Sequence, residues 1–390
     1  MRLAEIKNML EKNLMGAVDF WLRCSRDKEH GGIFQSVDRD GECFSTDKDV
    51  AMQCKCAWTF AHLYNSIEKS EEYLELSESC IRFVKEKCFD TDGRMLLTVT
   101  RDGRPLERSS NFLGEAFYAS ANIEYYRATG KKEYLDEARR VYDMIFDIHT
   151  GGIGAGQEVV PGGERPYILL EEPTVLFGVN ATMAKIDTER EERYNGNAEL
   201  LFGELGRFYS EEYRATLEAI ATDGRVITES ERMRISNPGR AMECARLLLE
   251  EGRRLGSREM CNLGKRMFDC AYKIGWDEKY SGILHLVDVL GAPVPYYDQD
   301  VKLWWVHTEA IVAALSLYLH TGDYAYKMIL EELLEYCFAR FVDKDGEWCA
   351  ALDRRGEPKD LMPRGFIGKG PYHTLRMYMR CIELLDGCEE

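Results

Sequence analysis

Twelve stretches of this chain return apolar residues at three-and-four spacing, and that recurrence limits the possible folds more than any other feature. They cover residues 6–22, 50–63, 73–84, 112–126, 134–145, 174–183, 200–209, 241–249, 260–272, 304–319, 324–338 and 375–385. The interval is about 30 residues, the size of one helix with its connection. Alternate members differ in character. The stretches around Trp58 and Trp304 are apolar and aromatic on most sides, whereas neighbours such as 134–145, with Arg139 and Arg140, are apolar on one face. A helix that is apolar all round must be covered all round. Six such helices enclosed by six amphipathic ones predict an all-α, two-layer (α/α)6 barrel. No Pro/Ser-rich linker or shift of composition divides the chain, so residues 1–390 are read as a single domain.

A weaker repeat lies between the helices. Asp27-Lys-Glu-His-Gly-Gly-Ile-Phe, Asp90-Thr-Asp-Gly-Arg-Met-Leu, Asp277-Glu-Lys-Tyr-Ser-Gly-Ile-Leu and Asp343-Lys-Asp-Gly-Glu-Trp each join an Asp/Gly turn to a short β-like run. Second turns follow at Asp38-Arg-Asp-Gly, Thr100-Arg-Asp-Gly and Asp353-Arg-Arg-Gly. These predict short β-hairpins on one rim of the barrel. The Asp-x-Asp-Gly at 343–346 lacks the closing Glu of a calcium loop and reads as turn chemistry.

A formal net charge of −17 and a pI near 5.1 argue against nucleic acid and anionic membrane surfaces as partners. The N-terminus mixes charges of both signs without a signal-like apolar core, and the apolar stretch at 310–319 is half the length of a membrane span. Thirteen cysteines are scattered through helical stretches without a CxxC pair, which fits reduced core thiols in a cytoplasmic protein better than a disulfide framework or a zinc site. No metal or cofactor is expected. Gly151-Gly-Ile-Gly-Ala-Gly156 lacks a P-loop Lys and reads as a pocket-rim loop.

Two segments carry the chemistry. In Gly368-Lys-Gly-Pro-Tyr-His-Thr-Leu-Arg376, Gly370 is read as the helix cap, with Pro371 opening the helix, His373 in its first turn and Arg376 three residues on. The positive end of the helix dipole there favours a neutral imidazole, a proton acceptor. Asn237-Pro-Gly-Arg-Ala-Met-Glu243 repeats the grammar, with Asn237 as cap, Arg240 in the position of His373 and Glu243 in that of Arg376. Polar pairs presented from equivalent places on two helices suggest one shared site.

Taken with His30-Gly-Gly-Ile-Phe, Gln53-Cys-Lys-Cys-Ala-Trp58, Glu115-Ala-Phe-Tyr118, Arg127-Ala-Thr-Gly130, Gly275-Trp-Asp, Lys302-Leu-Trp-Trp-Val-His-Thr-Glu309 and Gly346-Glu-Trp348, these segments give the chain a resemblance to the N-acylglucosamine 2-epimerase family. That family includes the renin-binding protein, cellobiose 2-epimerases and sugar aldose–ketose isomerases. The resemblance runs from about residue 10 to about residue 385 and implies an (α/α)6 barrel, with a homodimer as the expected assembly, that moves a proton at C2 of an open-chain reducing sugar. The C2–H is acidic because the C1 carbonyl can take up the charge as an enediolate, so the enzyme must supply a base and a stabilised oxyanion. By the resemblance His373 is the base, with Arg240, Glu243 and Glu309 as catalytic neighbours. Lys55, Glu115, Asn180, Trp304, Trp305, His307 and Arg376 are expected to bind the sugar.

The sequence departs from the family pattern twice. The family's Asn-Pro-Gly-His is Asn-Pro-Gly-Arg240, which removes one of two histidines used for epimerisation, and Lys55 replaces an Arg. Arginine is no base near neutral pH. The departures leave several readings open: an epimerase with another second group, for which His285 and His307 are candidates; a one-base aldose–ketose isomerase; a site for an anionic sugar seated on Arg240 and Lys55; and an impaired sugar-binding protein. An inverting glycoside hydrolase using two of Glu115, Glu243 and Glu309 is a further rival.

Overall fold

The computed structural model describes residues 1–151, 167–296, 298–358 and 363–387. Its α-helices are α1 (Leu3–Cys24), α2 (Val50–Ser66), α3 (Glu71–Lys87), α4 (Leu113–Thr129), α5 (Lys132–Gly151), α6 (Glu171–Ile186), α7 (Glu191–Gly206), α8 (Pro238–Leu255), α9 (Arg258–Gly275), α10 (Trp304–Thr321), α11 (Tyr324–Arg340) and α12 (His373–Asp386). Each even-numbered helix touches the next, and α12 closes on α2, forming an inner ring. The odd-numbered helices pack outside it, each against an inner neighbour. This is the (α/α)6 barrel that the repeat predicts.

Burial follows the expected alternation. In α10 every residue from Val306 to Leu317 is buried. In α5 the buried residues are one stripe, Leu135, Ala138, Val141, Tyr142, Ile145 and Phe146. Only α7 is displaced from its expected place: it ends at Gly206, and Tyr209 belongs to the strand Tyr209–Ser210. Its first half, Glu-Glu-Arg-Tyr-Asn-Gly-Asn, is largely polar and hides the apolar period.

The links alternate in length, and this places the site. Inner helices pass to outer ones through short connections; α4, α8 and α10 end on Gly130, Gly256 and Gly322 in the left-handed region, with φ +69° at each. Outer helices return to inner ones through long segments, so all six inner helices begin at the same end of the barrel. At that end antiparallel bridges join Arg26 to Ile33, Phe89 to Met95, Trp276 to Ile283 and Val342 to Trp348, the four expected hairpins. The rim is also stitched between distant links: Lys48–Asp49 pairs with Leu96–Val99, Tyr167–Leu169 with Ala219–Ala221, Ile235–Ser236 with Val287–Asp288, and Lys302–Leu303 with Ala351–Leu352. Strands of two to four residues are too short to carry a readable period, so these pairings between distant links leave no sign in the sequence.

Two of the Asp turns prove to be buried anchors. Asp27 accepts from the amides of Glu29 and His30 and pairs with Lys48 at 2.9 Å and with Arg101 at 3.0 Å. Asp277 accepts from Lys279 and Tyr280 and pairs with Arg354 at 3.1 Å and Lys302 at 3.7 Å. The Gly-rich stretch lies outside the described residues beyond Gly151. The twelve described cysteines are all free, and among the described residues no helix is long and apolar enough to cross a membrane.

At the short-link end, His62 lies between Glu124 (3.0 Å) and Glu383 (2.7 Å). Burial alone would lower its pKa; the two carboxylates outweigh burial and raise it to about 9. A histidine whose pKa rises on folding stabilises fully below its unfolded value, and the gain disappears as pH climbs through the folded value. His62→Gln is therefore expected to lower stability by about 3 kcal/mol at pH 6 and by little at pH 10. Urea unfolding of both forms at the two pH values checks this; an equal loss at both would show that packing, not charge, holds His62.

Candidate active site

The inner-helix N-termini supply the site. Asn237 caps α8, its side chain accepting from the Arg240 amide at 3.2 Å, with Pro238 in the first helical position as expected. The start of α12 differs. His373 itself is the first helical residue, the cap is Tyr372, and Pro371 stays outside the helix, because the Tyr372 amide turns back to the Gly370 carbonyl at 2.8 Å. Gly370 is needed for close approach instead: a β-carbon there would lie 2.6 Å from Sδ of Met52. His373 thus feels the helix dipole as expected, two positions nearer the helix start than the grammar suggested.

Glu309 of α10 is the hub. It is 1% exposed and accepts from Arg246 Nε at 3.1 Å through one oxygen. Its other oxygen receives Arg376 and lies 3.3 Å from His373 Nδ1. Held by this carboxylate, Nδ1 carries the ring proton, which leaves Nε2 as the lone-pair nitrogen. Nε2 has no hydrogen-bond partner among the described residues, and the side chain retains 14% exposure. Burial, with the Lys55 charge nearby, pushes the imidazole pKa down to about 3. The ring is therefore neutral at physiological pH.

Around it stand two aromatic walls and two cations. The rings of Trp304 and Trp305 both lie 6.1 Å from that of His373. The 100° step between neighbours would allow only one to face a pocket, yet both border His373 because they open α10 at the mouth, where side chains splay past the helix end. Lys55 Nζ sits 4.4 Å from the Phe117 ring centroid and 5.5 Å from that of Tyr372, with no carboxylate in contact among the described residues. Burial lowers its pKa, against the pull of Asp49, Glu171 and Glu243. Arg240 lies over Trp305 at 5.5 Å and directs its two terminal nitrogens to Glu243 (2.6 Å) and Glu171 (2.5 Å). Burial alone would raise the Glu243 carboxyl; the charge of Arg240, with those of Arg376 and Arg246, holds it at about 2. Below these groups a cavity of about 640 Å³ runs inside the inner ring, with Glu243, Arg246, Tyr372 and Arg376 on its wall, and reaches His62 and Glu383 near the other end. Among the described residues, no cluster of His, Cys, Asp and Glu is arranged to ligate a metal.

His373, Arg240, Glu243, Glu309, Arg376, Lys55, Trp304 and Trp305 are thus brought together. Three other expected residues are not. Glu115 is fully buried and ties down the rim, accepting from Arg94 Nε at 2.7 Å and the Met95 amide at 3.0 Å. Asn180 faces outward from α6, accepting from the Tyr142 hydroxyl at 2.5 Å and donating to the Tyr194 carbonyl at 2.9 Å. His307 donates from Nδ1 to the Leu303 carbonyl at 2.7 Å and accepts from the Ile283 amide at 2.9 Å, so both nitrogens are spent on holding a hairpin to α10. Burial keeps it neutral, with its pKa down to about 4. His285 does reach the site, within 6.5 Å of Trp305, but its Nδ1 lies 3.1 Å from Asp298. Sequence reasoning overlooked Glu171, Glu218 and Arg246. Arg246 was legible, lying on the same helical face as Glu243; Glu171 opens α6 ahead of the apolar period that begins at Thr174, and Glu218 sits in a rim segment without periodicity.

The molecule is a six-pair helical barrel whose mouth gathers a histidine, a carboxylate hub, two cations and two aromatic walls. The chain belongs to the N-acylglucosamine 2-epimerase (GlcNAc 2-epimerase) family, whose model matches residues 32–376. It is similar to the N-acylglucosamine 2-epimerase of Bos taurus, at 29% identity over 390 residues, covering 97% of this chain and 91% of that one. Among solved structures, a D-mannose isomerase superposes with a TM-score of 0.84 at 21% identity over 98% of each chain. The cellobiose 2-epimerase of Spirochaeta thermophila superposes at 0.83 and 21%, over 99% of this chain and 98% of that one. At such identity the structural likenesses speak for the fold.

Proposed function

We propose that this protein is a sugar 2-epimerase acting by proton transfer at C2 of the open-chain form of a reducing sugar, with His373 as the base. The observation that carries the reading is the state of His373: neutral, oriented through Nδ1 by Glu309, with Nε2 free to accept a proton. The unpaired Lys55 ammonium is the cation best placed to stabilise the oxyanion that develops as C2–H is broken, because neighbouring carboxylates have not claimed it. Trp305 and Trp304 offer apolar faces for the sugar ring or chain.

Arg240 fits a neutral substrate better than an anionic one. Its two terminal nitrogens are already engaged by Glu171 and Glu243, so its charge is met twice over before a carboxylate or phosphate arrives. It completes the charge of the wall instead. A second reading, aldose–ketose isomerisation, is favoured by Arg240 standing where the family pattern has its other histidine, since return of the proton to C1 from the same face needs one base. Proton NMR in D₂O with a panel of neutral and anionic reducing sugars tests both. Loss of the C2 signal with formation of the 2-epimer is expected; ketose without epimer would favour the second reading, and no exchange in any sugar would overturn both.

A further inference from the structure

We infer that Glu218 is the second proton-transfer group of this site, delivering a proton to C2 from the face opposite His373. The inference rests on the proposed C2 chemistry and supplies the group that the replacement of histidine by Arg240 removes.

Position comes first. Glu218 lies in the rim segment after α7, between the strands Ala215–Thr216 and Ala219–Ala221. Its carbonyl accepts from the amide of Leu170, the residue that precedes α6, at 3.0 Å, and its own amide donates to Ile235 at 2.8 Å. It is therefore fixed between the start of α6 and the strand Ile235–Ser236 that leads into α8. In a ring ordered α2, α4, α6, α8, α10, α12, the helix opposite α6 is α12, which His373 opens. The two groups stand on facing walls of one mouth, and both sense the charges of Arg240 and Glu243.

Charge stoichiometry comes second. Three carboxyl groups, Glu171, Glu243 and Glu218, gather around one guanidinium. Arg240 gives one terminal nitrogen to Glu171 and the other to Glu243. Glu218 is the carboxyl left over: its Oε2 is buried with no hydrogen-bond partner among the described residues. A carboxyl in that setting holds its proton, as an unpaired buried carboxylate is costly. Burial, with the charges of Glu171 and Glu243 set against that of Arg240, raises its pKa to about 7. It is an acid of suitable strength at neutral pH.

The step balances. His373 Nε2 takes the C2 proton, the C2–H electron pair becomes the C1=C2 bond, and the carbonyl π pair moves onto O1. On collapse the O1 pair re-forms the carbonyl, and the C1=C2 pair takes the Glu218 proton on the opposite face. The cycle leaves an imidazolium and a carboxylate, which exchange protons with water before the next turnover.

Glu218→Gln separates the two faces. With a sugar that the wild type epimerises in D₂O, epimer formation by the variant is expected to fall at least about 100-fold. Deuterium continues to enter C2 of the starting sugar, and any ketose formed by return to C1 persists, because both need only His373. Wild-type epimerisation is expected to decline above about pH 7 as Glu218 loses its proton. Epimer formation within threefold of wild type overturns the inference. So does an equal fall of exchange and epimerisation in a variant with an unaltered unfolding curve. Should Glu218→Gln fail to unfold cooperatively, the same ratio is read in Glu218→Asp, where about a tenfold drop of epimer relative to exchange is expected and an unchanged ratio overturns it. If wild type exchanges C2 of no sugar, the proposed function fails and this inference with it.

Discussion

Replacing His373 by Asn is expected to lower C2–H exchange by about 10²- to 10⁴-fold while leaving the fold intact. The ring stands at the first position of α12, retains 14% exposure and touches Trp304, Trp305 and Tyr372 at ring distances of 5.0–6.1 Å. Asparagine keeps a polar group opposite Glu309 but supplies no base. Exchange in D₂O measures the loss directly, and a near-native urea midpoint excludes unfolding as its cause. The pH profile adds a sign. A base acts only when unprotonated, and with its pKa down at about 3, His373 is competent throughout the ordinary range. No acid limb from this group is therefore expected between pH 8 and pH 5, in contrast to an exposed histidine, which would cut the rate tenfold or more over that interval. Substantial exchange surviving in His373→Asn would place the base elsewhere.

Glu309→Gln should produce the largest combined loss. One buried carboxylate faces Arg246, Arg376 and His373 at once. Without its charge, the two guanidinium groups confront each other at 8% exposure or less. Breaking one side of a buried ion network costs about 3–5 kcal/mol; here Arg246 keeps Glu250 at 3.1 Å, and Arg376 is the charge left without its carboxylate. The amide also has one acceptor oxygen where the carboxylate had two, so either Arg246 or the pair Arg376 and His373 faces its NH₂ group. Urea unfolding is expected to show the stability loss. Exchange kinetics, measured where the variant remains folded, are expected to show a fall in kcat larger than any rise in KM, since the ring is misdirected in the transition state more than the sugar is released. A variant as stable and as active as wild type would show that Glu309 is dispensable to both.

The fold was legible because long helices repeat. Twelve apolar periods, alternately all-round and one-sided, left little choice but an inner ring inside an outer one, and the Asp/Gly turns marked the rim. The site was legible where it sat on those helices. Asn237 and Pro238 announced the start of α8, and the spacing of His373 and Arg376 set both toward Glu309. Reading failed where the face of a helix was the question. Asn180 and His307 lie on inner helices, yet their side chains satisfy buried partners on neighbouring elements, and composition cannot tell a ligand-facing polar group from a satisfied one. Glu115 failed for a related reason: its position at the start of an inner helix was right, but the rim hairpin carrying Arg94 and Met95 folds over it. Glu218 was invisible. It stands in Thr-Leu-Glu-Ala-Ile, a rim segment that acquires meaning only when paired to the start of α6.

The alternation of short and long links has one more effect. Because every inner helix begins at the rim, six peptide dipoles turn their positive ends toward the mouth. In a chain carrying a formal charge of −17, the mouth thus receives a positive contribution made of backbone and independent of any titrating side chain. Negative charge arising on a sugar oxygen there meets a potential that is already in place, so it needs no reorientation of solvent to be accommodated. Side chains can then differ around the mouth, as Arg240 stands where the family pattern has a histidine, without changing the direction of these dipoles.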